Sequence, residues 1–208
     1  MMLRLPGWAG LEDYWSVKDG VICAKEVKEK SKQTFLVLTA AKPGDFELHF
    51  KYKFATPDGN SGLQLLSKLL DPKSYRVGGY QADFDAKAGY DGSIYDEAGV
   101  AGKRGIMSKR GEKTHWSPNA NDQPKKDNIG GGDAELRKFI KVGDWNDVIL
   151  TAKGNHITYS INGHLMTDLT DDSPKALKEG VLALQLHAGY TMEIQFKDVK
   201  IKLLGGKK

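Results

Sequence analysis

Polar residues suited to proton transfer and sugar binding recur at every second position of four short segments. In residues 80–84 the side chains of Tyr80, Ala82 and Phe84 share one face. Gln81 and Asp83 therefore point together to the opposite face, because successive strand residues alternate sides. The same alternation places seven residues on faces turned away from the core: Gln64, Gln81, Asp83, Tyr95, Glu97, Gln185 and His187.

The residue types in this set favour a carbohydrate groove. Amides and aromatic rings bind sugar hydroxyls and ring faces, and the carboxylates and the histidine can exchange protons. Gly62, Gly79 and Ala183 lie beside them, and such small residues leave room for a ligand. Any single member is more often an ordinary surface residue, and His187 alone fits a structural imidazole equally well.

Several common catalytic patterns are absent from the sequence. There is no Gly-x-Ser-x-Gly elbow, phosphate-binding loop or dinucleotide fingerprint. The Glu-x-Asp-x-x-Glu pattern of sandwich-fold glucanases is also missing, which argues against two-carboxylate glycoside hydrolysis. No His-x-x-x-His pair or other ligand spacing predicts a metal. Cys23 is the only cysteine, so an internal disulfide and a cysteine-based zinc site are excluded.

Alternation of apolar and polar residues is the dominant periodicity, and it predicts the strands that carry these side chains. In residues 46–54 every second residue is large and apolar. About ten such runs are separated by turn signals such as Asn162-Gly163, a pattern typical of a β-sandwich. We therefore expect an all-β, two-sheet antiparallel β-sandwich that forms one domain over residues 1–208. The main helical candidate is a single turn at residues 174–180.

Residues 99–133 break the alternation. They are rich in glycine, lysine, asparagine and proline and show no sustained period. We expect a long loop insertion without secondary structure, either functional or disordered. Whether it closes over the groove is left open, and Trp116 is the candidate lid contact if it does. Its basic side chains are expected to be solvated: Lys103, Arg104, Lys109, Arg110, Lys125 and Lys126.

Composition limits the partners. The chain has 208 residues, of which 39% are hydrophobic, and a net charge of +4 from 31 basic and 27 acidic residues. This balance does not favour nucleic acid as a partner. No apolar run has the length of a signal peptide or a membrane span. The oligomeric state is left open.

A series of short motifs runs along nearly the whole chain in a specific order. They are Tyr14-Trp15-Ser16-Val17-Lys18-Asp19-Gly20-Val21-Ile22, Asn60-Ser61-Gly62-Leu63-Gln64, Gly79-Tyr80-Gln81-Ala82-Asp83, Tyr95-Asp96-Glu97, Trp145-Asn146-Asp147, Gly154-Asn155-His156-Ile157, Ile161-Asn162-Gly163 and Leu184-Gln185-Leu186-His187-Ala188-Gly189. In this order the chain resembles the 3-keto-disaccharide hydrolase family from about Trp8 to Leu204. The segment 99–133 departs from that family, in which it is usually shorter.

The resemblance implies a concanavalin A-like lectin/glucanase sandwich, export to the periplasm or cell surface, and action on glycosides oxidised at C3. A ketone at C3 acidifies the C2 proton, so a base can start an elimination that expels the C1 oxygen, after which water adds. In that reaction His187 or Asp83 would be the base and Glu97 the acid or a metal ligand.

The remaining roles implied by the resemblance concern substrate and cofactor. Substrate contacts would come from Gln64, Gln81, Tyr95, Arg104 and Gln185, with Arg104 corresponding to an arginine that often follows Tyr-Asp-Glu in the family. The expected ligand is an oligosaccharide or a 3-keto-glycoside. The resemblance fixes no cofactor, and a divalent cation held by Asp83, Glu97 and His187 is the candidate that would supply an electrophile.

Two other functions remain open at this point. The same sheet face would suit a carbohydrate-binding module without catalysis, although a lectin face seldom needs Asp, Glu and His together. An interaction domain that uses the basic loop as an arm is a third reading, and it predicts binding that weakens steeply with salt.

Overall fold

The computed structural model describes residues 6–26, 33–119 and 121–204. This part of the chain forms sixteen strands and one short helix, which are, in chain order, β1 (Trp8–Ala9), β2 (Trp15–Lys18), β3 (Val21–Glu26), β4 (Thr34–Leu38), β5 (Phe46–Phe54), β6 (Asn60–Asp71), β7 (Arg76–Asp85), β8 (Ile94–Glu97), β9 (Ile106–Ser108), β10 (Glu112–Trp116), β11 (Lys125–Asn128), α1 (Asp133–Arg137), β12 (Asn146–Lys153), β13 (His156–Ile161), β14 (His164–Asp171), β15 (Val181–Leu186) and β16 (Met192–Leu203). No helix in these ranges has the length and hydrophobicity to span a bilayer.

The strands form two sheets. The seven-stranded sheet has the order β1-β4-β15-β6-β7-β8-β9, and the nine-stranded sheet has the order β11-β10-β14-β13-β12-β5-β16-β3-β2. The pairs are antiparallel except β10 with β14, which run parallel. The predicted all-β, two-sheet sandwich is thus confirmed. The single domain over residues 1–208 stays a prediction, and it includes residues outside the described ranges.

The alternation in the sequence is reproduced in the burial of the strands. Along β5 buried residues alternate with half-buried ones over all nine positions. The predicted hairpin joins β13 to β14, with Asn162 and Gly163 at φ 51° and 82°. Both residues have positive φ, as a two-residue hairpin turn of this type requires.

The core lies between the two sheets and anchors β7 firmly. Phe84 of β7 packs against three aromatic rings of the other sheet, at centroid distances of 5.8 Å to Phe50, 4.4 Å to Tyr52 and 6.2 Å to Tyr159. Tyr159 also donates a hydrogen bond to the backbone carbonyl of Asp83, at 3.1 Å. The strand that carries Gln81 and Asp83 is therefore fixed from behind.

The expectation of a structureless insertion at residues 99–133 is wrong. The segment contains β9, β10 and β11, and α1 begins at its last residue. These strands are only three to five residues long and extend the two sheets outwards: β9 pairs with β8, β10 with β14 and β11 with β10. Strands this short carry too little alternation to be recognised from sequence.

The predicted helical turn at residues 174–180 is only a hydrogen-bonded turn, in which Ala176 N donates to Ser173 O at 3.1 Å. The segment is held by tertiary contacts instead, because Leu177 N donates to the hydroxyl of Tyr80 at 3.0 Å. The described helix is the five-residue α1, which the sequence analysis did not predict.

The four lysines of the insertion that are predicted to be solvated are exposed, whereas Arg104 and Arg110 are held by the fold. Arg110 is 2% exposed, pairs with Asp133 at 2.8 Å and donates to the backbone carbonyls of Ala88 and Asp91. Lys126 pairs with Glu112 at 2.8 Å. The segment is therefore bound to the sandwich and does not form a free basic arm.

Candidate functional site

A cavity of about 430 Å³ lies on the outer face of the seven-stranded sheet, away from the core. Its lining comes from β6, β7 and β8 and from the segments that flank them: Gln33, Asn60, Gln81, Asp83, Tyr90, Tyr95, Glu97, Ala98, Ile106 and His187. The cavity brings together five of the predicted site residues, namely Gln81, Asp83, Tyr95, Glu97 and His187.

Strand register places these side chains in neighbouring rows. Gln64, Gln81 and Tyr95 lie opposite one another on β6, β7 and β8. In the next row Asp83 lies opposite Gly62. A Cβ atom on Gly62 would come within 2.5 Å of the Gln81 side chain, so the glycine makes room for that amide. The sequence reasoning assigned the right face but not this close packing.

Asp83 is a nearly buried carboxyl, with 7% of its surface exposed. Its Oδ1 accepts a hydrogen bond from the Gln81 side chain at 2.7 Å. Burial raises the pKa of Asp83 well above its usual range, and the nearby charge of Glu97 raises it further, while the Gln81 hydrogen bond acts in the opposite direction. A carboxyl with a raised pKa is a stronger base when ionised and a proton donor when protonated.

Glu97 forms another wall of the cavity. Its carboxylate accepts a hydrogen bond from the side chain of Gln33, at 2.8 Å. Its neighbour Asp96 points into the following loop, where it accepts hydrogen bonds from the backbone of Ala101 at 2.7 Å and of Arg104 at 3.0 Å. In the Tyr-Asp-Glu motif the first and third residues thus line the cavity, and the second shapes the loop.

His187 follows β15 and lines the cavity. Its Nδ1 lies 2.6 Å from the carbonyl oxygen of Ala188, and because a carbonyl can only accept, Nδ1 carries a hydrogen. In the neutral ring Nε2 then bears the lone pair. The ring of Tyr190 packs edge-on at a centroid distance of 5.7 Å. His187 can therefore accept a proton or a hydrogen bond at Nε2.

Sequence reasoning missed five lining residues, of which Ala98 and Ile106 are apolar and three can contact a sugar through an amide or an aromatic ring. Tyr90 is 53% exposed and stands in the turn after β7, where it offers a ring to a sugar. Asn60 begins β6, and Gln33 precedes β4. Asn60 could have been predicted, because it belongs to one of the family motifs and lies next to a turn. Gln33 could not, because its role depends on the distant Glu97.

The structure does not place Gln64 and Gln185 on the cavity surface. Both are fully buried. Ala183 is also fully buried, in a second small apolar cluster with Phe35 and Val37 of the adjacent β4. Direct substrate contact by Gln64 and Gln185 is therefore not supported, and Ala183 does not open space for a ligand. Side-chain alternation gives the face of a residue but not what covers that face.

Residues of β4 cover part of the outer face of the seven-stranded sheet. The hydroxyl of Thr34 donates to the carbonyl of Ser74 in the turn between β6 and β7, at 3.2 Å. Phe35 and Val37 pack in one cluster with Val77 of β7. Since β15 and β6 lie between β4 and β7 in the sheet, the outer face must curl, and it is concave as predicted.

Arg104 lies outside the cavity lining, contrary to its predicted role in substrate binding. Its guanidinium pairs with the buried carboxylate of Asp171 at 3.0 Å and donates to Ser173. It also stacks over the ring of Trp116, 4.4 Å from the ring centroid. Trp116 in turn donates to the carbonyl of Met107 at 3.1 Å, so it supports the loop beneath Arg104 and is not a lid over the groove.

The residues proposed for a divalent cation do not fit one. Within residues 6–26, 33–119 and 121–204, no three or more His, Cys, Asp or Glu side chains are grouped so that they could hold an ion. Asp83 and Glu97 each already accept a hydrogen bond from a glutamine. We derive no step that requires a metal at Asp83, Glu97 and His187.

The cavity therefore combines a buried carboxyl, a second carboxylate, an imidazole with a free lone pair and two tyrosine rings. Such a set can bind a polar ring and move protons at two of its positions. The two carboxyl groups differ in environment, because Asp83 is buried and Glu97 is half-buried.

Sequence comparison identifies a matching family. The profile described as the 3-keto-alpha-glucoside-1,2-lyase-like domain matches residues 4–202. A search of curated proteins finds no match to the chain.

Several solved structures have similar folds at low sequence identity. A candidate glycosyl hydrolase from Parabacteroides distasonis is 18% identical, with a TM-score of 0.62 over 95% of this chain and 94% of that one. A second from the same organism is 19% identical, with a TM-score of 0.59 over 96% and 89%. The carbohydrate binding module CBM66 from Bacillus subtilis is 15% identical, with a TM-score of 0.61 over 97% and 98%. At these identities the likeness concerns the fold alone.

Proposed function

The chain belongs to the family of 3-keto-alpha-glucoside-1,2-lyase-like domains, and on this basis we propose that it cleaves glycosides already oxidised to a ketone at C3. One observation carries the proposal: a nearly buried carboxyl, Asp83, faces a polar cavity with a second carboxylate and an imidazole. Elimination beside a ketone needs a base and an acid, and it does not need a pair of carboxylates on opposite sides of an oxocarbenium ion.

Asp83 is the proposed base. Its carboxylate takes the proton from C2, and the electron pair of that bond forms an enolate whose negative charge lies on the C3 oxygen. Burial strengthens the carboxylate as a base, because it raises the pKa of Asp83. The amide of Asn60 lines the same cavity and offers N–H groups to the C3 oxygen.

The second step breaks the glycosidic bond. The negative charge on the oxygen re-forms the C3 carbonyl, the electron pair between C2 and C3 forms a double bond between C1 and C2, and the C1–O bond breaks with its pair leaving on the oxygen. The leaving oxygen then takes a proton from Glu97 in its protonated form, and Glu97 regains a proton from the water that later adds at C1, while His187 accepts a hydrogen bond from a sugar hydroxyl. Addition of water at C1, with return of a proton to C2, gives the 3-keto monosaccharide and completes a net hydrolysis.

The aromatic residues of the cavity bind the sugar in this proposal. Tyr90 and Tyr95 line the cavity, and Tyr90 is exposed enough to stack on a sugar ring. Such contacts orient the substrate without entering the chemistry.

The test is release of monosaccharide from 3-keto-trehalose or 3-keto-sucrose. We expect Asp83→Asn to lower turnover by about 10²- to 10⁴-fold, the usual share of a general base. The matched control is Asp122→Asn, which removes an exposed carboxylate in a turn far along the chain. Wild-type turnover in Asp83→Asn, Glu97→Gln and His187→Ala alike would overturn the assignment.

A carbohydrate-binding module without catalysis is the second candidate. The observation that favours it is the exposed Tyr90 beside amides in an open polar cavity, which is enough for sugar binding alone. The fold likeness to a carbohydrate binding module agrees with it. Saturable binding of a 3-keto-disaccharide without release of monosaccharide would decide for the module.

Two broader expectations belong to the same proposal. The family resemblance supports action in the periplasm or outside the cell, and the continuous sandwich supports one domain over residues 1–208. Cell fractionation with an antibody against the chain tests the first, and a single cooperative unfolding transition tests the second.

A further inference from the structure

A chain of hydrogen bonds leads from the interior of the seven-stranded sheet to Asp83. The hydroxyl of Ser67 donates to Gln64 Oε1 at 2.9 Å, and Gln64 Nε2 donates to Gln81 Oε1. Gln81 Nε2 then donates to Asp83 Oδ1 at 2.7 Å. We name Ser67, Gln64 and Gln81 the amide chain.

The amide chain is sealed from solvent. Ser67, Gln64 and Gln81 are 2%, 0% and 3% exposed. Gln64 and Gln81 are direct cross-strand partners on β6 and β7, which holds their amides side by side. Solvent therefore cannot readily replace a missing partner, and each amide must be satisfied by its neighbours.

The backbone around the amide chain has features that allow it. Ser67 is three residues from Gln64, so in a regular strand the two side chains would point to opposite faces. A bulge with Leu66 at φ 52° shifts the register and brings the Ser67 hydroxyl to Gln64. A Cβ atom on Gly79 would lie 2.4 Å from the Ser67 hydroxyl oxygen, so this end of the chain also requires a glycine.

An amide has an acceptor on one side and a donor on the other, so the orientation of one glutamine sets that of the next. In the present direction the chain presents an N–H to Asp83, which suits a carboxylate. A protonated carboxyl also has an O–H group that needs an acceptor, and Gln81 provides that acceptor if its amide turns over. Gln64 must then turn over as well and donate to Ser67.

Ser67 allows this second arrangement. Its hydroxyl oxygen lies 2.9 Å from the carbonyl of Leu65 and 3.3 Å from that of Tyr80, in addition to its contact with Gln64. The hydroxyl can thus donate to a backbone carbonyl while it accepts from Gln64. Every member of the chain is satisfied in both directions.

We propose that Ser67, Gln64 and Gln81 are positioning residues, and that the amide chain reverses its direction when the carboxyl at its end gains or loses a proton. A general base must exist in both protonation states during one turnover, and a reversible chain stabilises each of them. The catalytic meaning of this inference rests on the proposed function, but the reversal itself does not.

Other groups also act on Asp83 and must be considered in any titration. They are Glu97 of β8, Asp85 of β7, Asp91 and Tyr90 of the following turn, Tyr159 of the opposite sheet and His187 after β15. None of these groups donates to or accepts from the amides of Gln64 and Gln81 in the described structure. Their titration therefore does not require Gln64 to turn over.

The test is an NMR pH titration of the whole protein without substrate, which follows the Asp83 carboxyl carbon and the side-chain amides of Gln64 and Gln81. We expect both amides to shift with the same midpoint as Asp83, and to lose that transition in Asp83→Asn. A Gln64 amide that stays constant while Asp83 titrates would overturn the inference. So would an Asp83 carboxyl that keeps one form over the whole range in which the protein is folded.

Variants separate positioning from general stability. Gln64→Met keeps the volume and breaks the chain, so the Gln81 amide should still titrate with Asp83 while kcat for a 3-keto-glucoside falls roughly 5- to 50-fold with little change in KM. Ser61→Ala is the control, because Ser61 lies on the same strand and loses one buried hydrogen bond, to the carbonyl of Gln185. An equal loss of kcat in both variants would mean a structural role only.

The two proposals fail in different ways. If Gln64 and Asp83 titrate together but the protein releases no monosaccharide, the reversal of the amide chain is supported and the proposed enzymatic activity is contradicted. If turnover depends on Asp83 but the Gln64 amide does not titrate, the enzymatic activity is supported and the reversal is contradicted.

Discussion

Asp83 owes its properties to a position that is buried yet next to a cavity. Its backbone is tied to Tyr159 of the opposite sheet, and its side chain is tied to Gln81. A carboxyl held in this way cannot move to solvent to regain hydration. Its protonation therefore becomes sensitive to pH in a range where ordinary aspartates are fully ionised.

The pH dependence of turnover follows from this position. The proposed base is active as a carboxylate, and burial raises the pKa of Asp83. We expect kcat/KM to rise with pH, about tenfold per unit, up to a midpoint well above the usual range of an aspartate. A pH profile with a 3-keto-glucoside checks this. A rate that falls as pH rises through the same midpoint would show that Asp83 is the acid.

At the scale of residues, sequence reasoning predicted which face of the sheet carries the site but not which residues on that face are buried. Alternation around Tyr80 and Phe84 placed Gln81 and Asp83 correctly on the face that carries the cavity. It could not show that Gln64 is sealed behind Gln81, because that burial depends on β4 and on the curl of the sheet. The role of Arg104 was missed for the same reason, since its partner Asp171 is 67 residues away.

The glycines of β6 and β7 show how strands make room for long polar side chains. Gly62 lies under the Gln81 side chain, and Gly79 lies under the hydroxyl of Ser67. A glycine within a strand normally weakens it, and here the close approach of the neighbouring side chain accounts for its presence.

A substitution at Gly62 tests this packing. In Gly62→Ala the new methyl group would lie within 2.5 Å of Gln81, so we expect a loss of roughly 1 to 3 kcal/mol in the free energy of unfolding. Truncation of Gln81 in the double variant Gly62→Ala/Gln81→Ala should recover part of that stability but none of the activity. Chemical denaturation of the two single variants and the double variant gives the coupling energy. Strictly additive losses would show that the two positions are independent.

At the scale of elements, the long strands were predictable and the short ones were not. The nine residues of β5 alternate without a break, and the Asn162-Gly163 turn marks the hairpin of β13 and β14. The strands between residues 99 and 133 form because β8 and β14 offer them an edge, which is tertiary information. The first six residues of β16 alternate in the same way as β5.

The two sheets enclose a second buried carboxyl, on the core side of the molecule. Asp91 is fully buried, accepts hydrogen bonds from the hydroxyl of Tyr52 and the backbone of Asp85, and has its pKa raised to about 7, chiefly by burial. Because folding raises the pKa of both carboxyl groups, ionisation of Asp83 and of Asp91 lowers the free energy of unfolding in the same direction.

The stability of the molecule should therefore decrease as pH rises. A carboxyl whose pKa is raised by folding stabilises the folded state fully below its unfolded pKa, and that contribution is lost as pH rises through the folded value. For Asp91 the loss between about pH 4 and pH 7 is on the order of 4 kcal/mol, from 1.36 kcal/mol per unit. Urea unfolding between pH 4.5 and pH 8 measures it.

The control for this prediction is Asp91→Asn, which has no proton to lose at this position and should show a flatter pH dependence. Unfolding midpoints that increase steadily from pH 4.5 to pH 8 in the parent protein would contradict the prediction.

The close contacts of Gly62 with Gln81 and of Gly79 with Ser67 also limit how these positions can vary among related sequences. A side chain at position 62 is compatible with the fold only if position 81 loses its long amide, and a side chain at position 79 excludes the hydroxyl at position 67. A side chain added at position 62 or 79 alone therefore costs stability. Across related sequences we therefore expect positions 62 and 81 to covary, and likewise positions 79 and 67.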